Sequence, residues 1–255
     1  MNTNIMARAA GRYLALTALL LFSPVYIWSF SFEPISRTFS PEGRGAIQTF
    51  RLTNDGDDYI AVRLRMYSRE MDIDGNETRE AVPELFTIYP NQVVLKPRSV
   101  QTVRIKWNGA ADMDREQCYR LLVEQLPVDF AQNSQETSGL KIMFRYLGSI
   151  YVSPPGTEAE IVVEEASVVE TKGAKELEII FSNRGTRHAI LNGLILDLQV
   201  EGSGSMDTHR LQGKELEGVI GENILPGSRR HFSIPLPDDF PGDDVRVDFQ
   251  YEQED

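Results

Sequence analysis

Apolar residues recur at every second position in several short segments: Ile60, Val62, Leu64, Met66; Val103, Ile105, Trp107; Tyr119, Leu121, Val123; then Leu194, Leu196, Leu198 and Val245, Val247, Phe249. Strand side chains alternate between two faces, so this period predicts strands with one face buried. Turn chemistry separates them, at Asn54-Asp-Gly56, Asp74-Gly75, Lys96-Pro97, Asn108-Gly109, Asn183-Arg-Gly185 and Leu225-Pro-Gly227. Short strands at this spacing predict an all-β chain of sandwich or barrel type. Helical patterning is scarce, and only Asp112 to Gln117 suggests a single turn.

One segment breaks the scale of the others. Leu140 to Val152 reads as a single strand of thirteen residues, which would span roughly 43 Å where a usual strand has about five or six residues. One parity is Leu140, Ile142, Phe144, Tyr146, Gly148, Ile150, Val152; the other alternates Lys141, Met143, Arg145, Leu147, Ser149, Tyr151. An apolar face longer than one domain needs predicts that another chain covers its first half. Gly148-Ser149 marks the expected junction, with Ile150 to Val152 left to the home domain.

Domain organisation follows from the ends and the middle. Residues 1–31 carry Arg8 and Arg12, no acidic residue, an apolar run from Tyr13 to Trp28, and Ser29 and Ser31. This is the layout of a cleaved secretory signal, with the cut expected after Ser31. Ser23-Pro24 interrupts the run, which falls short of the ~20 residues a bilayer span needs; no membrane insertion of the mature chain is expected. Two prolines and a glycine at Ser153-Pro-Pro-Gly156 deny ladder donors and permit a bend, so a hinge is expected between domains 32–154 and 155–255.

Charge divides unevenly across that hinge: residues 32–154 hold 15 basic and 17 acidic side chains, residues 155–255 hold 9 and 21. Nucleic acid, which demands excess Lys and Arg, is excluded as a partner. Cys118 is the only cysteine, so no internal disulfide can form and each core must hold its own domain. It sits in a segment that reads as a strand, where a buried thiol is expected.

Catalytic and metal patterns are missing. His188, His209 and His231 are scattered, with no metal-ligand or base-nucleophile spacing, and no nucleophile elbow or phosphate-cradling loop occurs. Asp72-Ile-Asp-Gly-Asn-Glu77 is a fragment of a calcium-loop pattern without its remaining ligands; a hairpin turn with Gly75 at positive φ is expected instead. The reading is a non-enzyme with no cofactor.

Phe50-Arg-Leu-Thr-Asn54, Asp72-Ile-Asp-Gly75, Tyr89-Pro-Asn-Gln-Val-Val-Leu-Lys-Pro97, Gln101-Thr-Val-Arg-Ile-Lys-Trp107, Tyr119-Arg-Leu121, Leu126-Pro127 and Ile150-Tyr-Val-Ser-Pro154 follow one another in order. In this order and spacing the chain resembles the PapD-like periplasmic chaperones of the chaperone-usher pilus pathway, throughout the first domain and more faintly in the second. The resemblance implies two immunoglobulin-like β-sandwich domains joined at an angle around an inter-domain cleft. It implies donor-strand complementation, in which the chaperone lends a strand to an incomplete subunit sandwich, with Leu140, Ile142, Phe144 and Tyr146 as the lent face. Burying four such side chains is worth on the order of 6–12 kcal/mol before ordering costs.

It further implies basic side chains in the cleft that grip the subunit's terminal carboxylate and set the register. Arg37 matches the family's first-strand arginine with one residue of slack. Where well-studied members carry a lysine this chain has Ser149; Arg145 resembles the basic position of the archaic branch, and Arg104 is a third candidate. The connection from Pro127 to Leu140 lacks cysteine, which resembles pilus-type rather than capsule-type members. Implied partners are pilus subunits and an outer-membrane usher, with a second copy of the chain able to cap the lent strand, and the implied location is the periplasm. The rival reading is a secreted two-domain sandwich that binds another protein or a carbohydrate, its long strand wholly internal. An exposed strand edge favours the first, and two covered edges the second.

Overall fold

The computed structural model describes residues 30–128, 142–171, 173–201, 206–242 and 245–253. The period-two segments form strands, and no α-helix occurs among the described residues. The first domain runs through β1 (Phe30–Glu33), β2 (Ser36–Phe39), β3 (Ile47–Asn54), β4 (Ile60–Ser68), β5 (Glu70–Met71), β6 (Glu77–Thr78), β7 (Phe86–Tyr89), β8 (Gln92–Leu95), β9 (Ser99–Trp107), β10 (Gln117–Leu126) and β11 (Arg145–Val152). Sheet β1-β3-β9-β7 packs on sheet β2-β11-β10-β4-β8. Phe50, Leu52, Val103 and Ile105 from the first and Leu64, Leu121, Val123 and Ile150 from the second share one core; for all but Phe50 and Leu52 the alternation in the sequence placed them on one buried face.

The second domain continues through β12 (Ile161–Thr171), β13 (Ala174–Asn183), β14 (Ala189–Ile190), β15 (Asn192–Glu201), β16 (Met206–Gln212), β17 (Asn223–Ile224), β18 (Arg229–Pro235) and β19 (Val245–Glu252). Its sheets β12-β13-β18 and β16-β15-β19 enclose Leu177, Ile179, Phe181, Leu194, Leu196 and Leu198. The two Asn-x-Gly turns do the same work in both domains. Asn54, at the end of β3, is buried; it donates to the Asp58 and Lys96 carbonyls and accepts from Gly56 N. Asn183, at the end of β13, donates to the Arg187 and Ile224 carbonyls and accepts from Gly185 N. A buried amide that satisfies three backbone groups fixes each strand end.

Two expectations need correction. Among the described residues, the strand read as Leu140 to Val152 is regular over Arg145–Val152; Ile142 to Phe144 lie outside regular structure, and Leu140 and Lys141 fall outside the described residues. The segment from Asp112 to Glu116 makes no helical turn and leads straight into β10. Most of the expected signal segment lies outside the described residues, but Phe30 and Ser31 pair with Asn54 and Thr53 in β1. The Phe30 ring is buried and meets Tyr146 edge-on at 5.0 Å.

Candidate functional site

β11 presents the edge that the long apolar parity predicts. On one side it pairs antiparallel with β10, from Gln117↔Val152 to Glu124↔Arg145. On the other side β2 runs parallel to it only from Ser149↔Ser36 to Val152↔Phe39, and Ser149 N donates to the Ile35 carbonyl. Arg145 to Gly148 therefore has no strand on that side among the described residues. Gly148 marks the boundary for a steric reason, since a Cβ there would sit 3.0 Å from the Ile35 carbonyl oxygen and 3.2 Å from the Phe32 ring. The crossover from β1 to β2 passes so close that a side chain there would force it to give by a few tenths of an ångström.

The inner face of this edge is graded. Ile150 and Val152 are fully buried, Phe144 and Tyr146 pack partly against the same core, and Ile142 is 51% exposed. The Tyr146 hydroxyl donates to the Phe30 carbonyl, which ties the open stretch to β1. Beyond Arg145 the pairing continues for one more step, with Gln125 N donating to the Phe144 carbonyl at 3.0 Å.

The opposite face of β10 and β11 turns to the second domain. Tyr151 is buried there; its ring stacks on His188 at 3.6 Å, and its hydroxyl accepts from Asn223 Nδ2 at 2.7 Å and from Arg69 at 3.3 Å. His188 Nδ1 lies 2.7 Å from Glu116 Oε1, which also accepts from His188 N. Burial first, and the Glu116 carboxylate next, push the half-buried Cys118 thiol far above its ordinary range. A cavity of about 400 Å³ opens beside this contact, walled by Arg69, Arg115, Glu116 and Cys118 from the first domain and by Leu225 and Pro226 from the second.

Two arginines, of which Arg69 lines that cavity, converge on Glu77 beside it. Arg120 of β10 is the Cα partner of Ser149 and donates to its hydroxyl; its Nε donates to Glu77 Oε2 at 3.0 Å, and its Nη2 also reaches Glu77. Arg69, one residue past β4, donates from Nε to Glu77 Oε1 at 2.7 Å. The side chains of Arg69, Arg120 and Glu77 are 3%, 16% and 14% exposed. Burial by itself would raise the Glu77 carboxyl, but the hydrogen bonds and charges of Arg120 and Arg69 outweigh it and hold the group below its ordinary value of 4.5.

None of the three expected anchors joins this cluster. Ser36 is the residue beside Ser149, so Arg37 projects from the other side of β2, where its Nε donates to Gln48 Oε1 at 2.9 Å. Arg145 pairs with Glu124 at 3.3 Å, a carboxylate already held by Arg63 and Arg65. Arg104 lies on the exposed outer face of the other sheet, between Thr49 and Tyr89. The sequence did not single out Arg120 and Arg69, because what brings them together is pairing rather than spacing. Arg120 stands within the quoted Tyr119-Arg-Leu121 segment, but only the β10–β11 register sets it opposite the position that lost a lysine. Tyr119 and Leu121 face the core, and that alternation already placed Arg120 on the outer face.

The fold is a two-domain β-sandwich with an open strand edge and a cleft lined by paired charges, and comparisons with known proteins bear on its class. Residues 40–158 match the family model described as pili and flagellar-assembly chaperone, PapD N-terminal domain. Among solved structures, the class 5 fimbriae chaperone CfaA is similar, with TM-score 0.53 and 14% identity over 88% of this chain and 100% of that one. So is the chaperone in the CsuC–CsuE chaperone–tip adhesion subunit pre-assembly complex of archaic Csu pili from Acinetobacter baumannii, with TM-score 0.53 and 16% identity over 86% of this chain and 97% of the other. A comparison with curated protein sequences finds no match. The first domain thus matches the PapD-like pilus-assembly chaperones, and the solved structures share the two-domain β-sandwich fold of the whole chain.

Proposed function

We propose that this protein is a periplasmic chaperone that stabilises pilus subunits by donor-strand complementation and delivers them to an outer-membrane usher. The observation that carries the reading is the open edge of β11 from Arg145 to Gly148, continuous with Ile142 and Phe144 and adjacent to Arg120. An unpaired strand edge is a template for another chain's backbone, and an incomplete subunit sandwich supplies the complementary unpaired strands. Main-chain pairing asks little of the client's sequence, while side chains entering its groove supply affinity. Ile142 has the most exposed area to gain from burial; Phe144 and Tyr146 are already partly covered and gain less.

Arg120 and Arg69 are the basic groups placed to receive the client's terminal carboxylate, in the role that the family resemblance gave to Arg37, Arg145 or Arg104. A charge-assisted bond to a carboxylate is worth about 1.5–3 kcal/mol and fixes one point of the register. Export by the signal segment and capping of the free edge by a second copy belong to the same reading. The test uses two synthetic peptides of strand length with alternating apolar residues, one ending in a free carboxylate and one in an amide. Tighter binding of the acid, abolished by Arg120→Gln, supports the proposal. Equal binding of acid and amide, or binding unaffected by Ile142→Asp, overturns it.

A further inference from the structure

The arginine pair in the cleft is already engaged. Glu77 takes both Nε and Nη2 of Arg120, the two donors that form its carboxylate-gripping fork, and it takes Nε of Arg69 as well. The remaining contacts of the pair run to Ser149 and Tyr151. We propose that Glu77 is a resident stand-in for the client's terminal carboxylate, and that a client must displace it to be anchored. The proposal rests on the reading of Arg69 and Arg120 as the anchor and adds a built-in competitor that sets the threshold for capture.

The competition follows from donor geometry. A guanidinium presents fixed donor edges, and one edge grips one carboxylate in the bidentate mode. With Nε and Nη2 of Arg120 on Glu77 and Nη1 on Ser149, an incoming carboxylate can take the side-on fork of Arg120 only when Glu77 withdraws. The two are chemically the same ligand, so the exchange trades one charge-assisted pair for another and costs far less than stripping the arginines bare. An empty pair of nearly buried cations would be costly to maintain. Glu77 keeps the site compensated between clients.

The element that carries Glu77 is suited to withdrawal. β5 and β6 pair through only two residues each, Glu70↔Thr78 and Met71↔Glu77. Their turn is closed by Asp72, which accepts from Asp74 N and Asn76 N, with Gly75 at φ +87°. The turn rests on the second domain through His231 N donating to the Ile73 carbonyl at 2.8 Å and Arg230 Nη1 lying 3.2 Å from Met71 Sδ. Arg230 also packs so tightly on Gly75 that a Cβ there would fall 2.5 Å from its Nη2. This docking is incompletely satisfied, since Arg230 Nε and Asn223 Oδ1 are buried without a partner among the described residues. Withdrawal of Glu77 therefore pulls on this contact between domains, and occupancy of the anchor is felt at the hinge.

The experiment compares the acid and amide peptides on the wild type and on Glu77→Gln by calorimetric titration. Loss of the competing charge makes the variant bind the acid about tenfold tighter while its affinity for the amide is unchanged. Unchanged or weaker acid binding by Glu77→Gln overturns the proposal, because Glu77 would then orient the arginines instead of occupying them. A wild type that binds acid and amide equally overturns the anchor reading, and the competitor with it. Hydrogen exchange on the wild type gives a readout independent of the variant's folding. Addition of the acid peptide speeds exchange of the Ile73-to-Asn76 amides if Glu77 is displaced, and exchange that stays unchanged under saturating peptide overturns the displacement.

Discussion

At the scale of single residues, the decisive pair is Arg120 and Glu77. Arg120→Ala removes the fork that meets a carboxylate, and acid-peptide affinity should drop by about ten- to hundredfold, with the amide little affected. Arg37→Ala, whose target bonds Gln48 on the far side of β2, should leave the acid preference intact; the paired titrations decide between them. Glu77 also predicts an acid response. Its folded carboxyl lies below the ordinary value of 4.5, so its ion pairs contribute stability that is full above that pH and is lost as pH falls through the folded value. Glu77→Gln should therefore flatten the acid limb of a stability-against-pH curve below about pH 4.5, as followed by thermal melts. A variant with an unchanged acid limb would place the proton uptake on other carboxylates.

At the scale of elements, β11 divides into a half that holds its own domain together and a half that is open. Ile150 is fully buried between the sheets, so Ile150→Ala should cost about 2–5 kcal/mol in chemical unfolding. Ile142 is half exposed, so Ile142→Asp should leave that unfolding curve in place while abolishing peptide binding; a variant that unfolds early would make Ile142 a core residue. The two face-parities of this strand were legible in the sequence, because burial alternates wherever one face packs. Its pairing was not, because hydrogen-bond partners leave no pattern in the strand itself. The register β2 takes with β11 explains why Arg37 missed the cleft by one residue: a shift of one position exchanges faces. The hairpin of β5 and β6 shows the same limit. Its turn chemistry at Asp72 and Gly75 was readable, while its docking on Arg230 and His231 spans more than 150 residues of sequence separation and has no local signature.

At the scale of the whole molecule, the two domains meet through a small set of specific contacts. Tyr151 and Glu116 come from the first domain; His188, Asn223 and Arg230 come from the second. Only the Ser153-to-Gly156 hinge was visible in the chain as a joint; the three scattered histidines looked idle, yet His188 and His231 both lie at this contact. The contact positions the arginine pair, since Asn223 and Arg69 share the Tyr151 hydroxyl, and a change on the second domain's side should reach the anchor. His188→Ala removes the ring stacked on Tyr151 and leaves the buried Glu116 side chain without its imidazole partner, at a cost of about 1–3 kcal/mol. Each domain has its own core, so this loss falls on the docking and not on either fold. Calorimetry should show one melting transition splitting into two, and the acid peptide should bind more weakly to the variant although no residue of the anchor has changed. Two transitions with unaltered peptide affinity would mean that the cleft needs only the first domain, while one unshifted transition would show that the stack contributes nothing to holding the domains together.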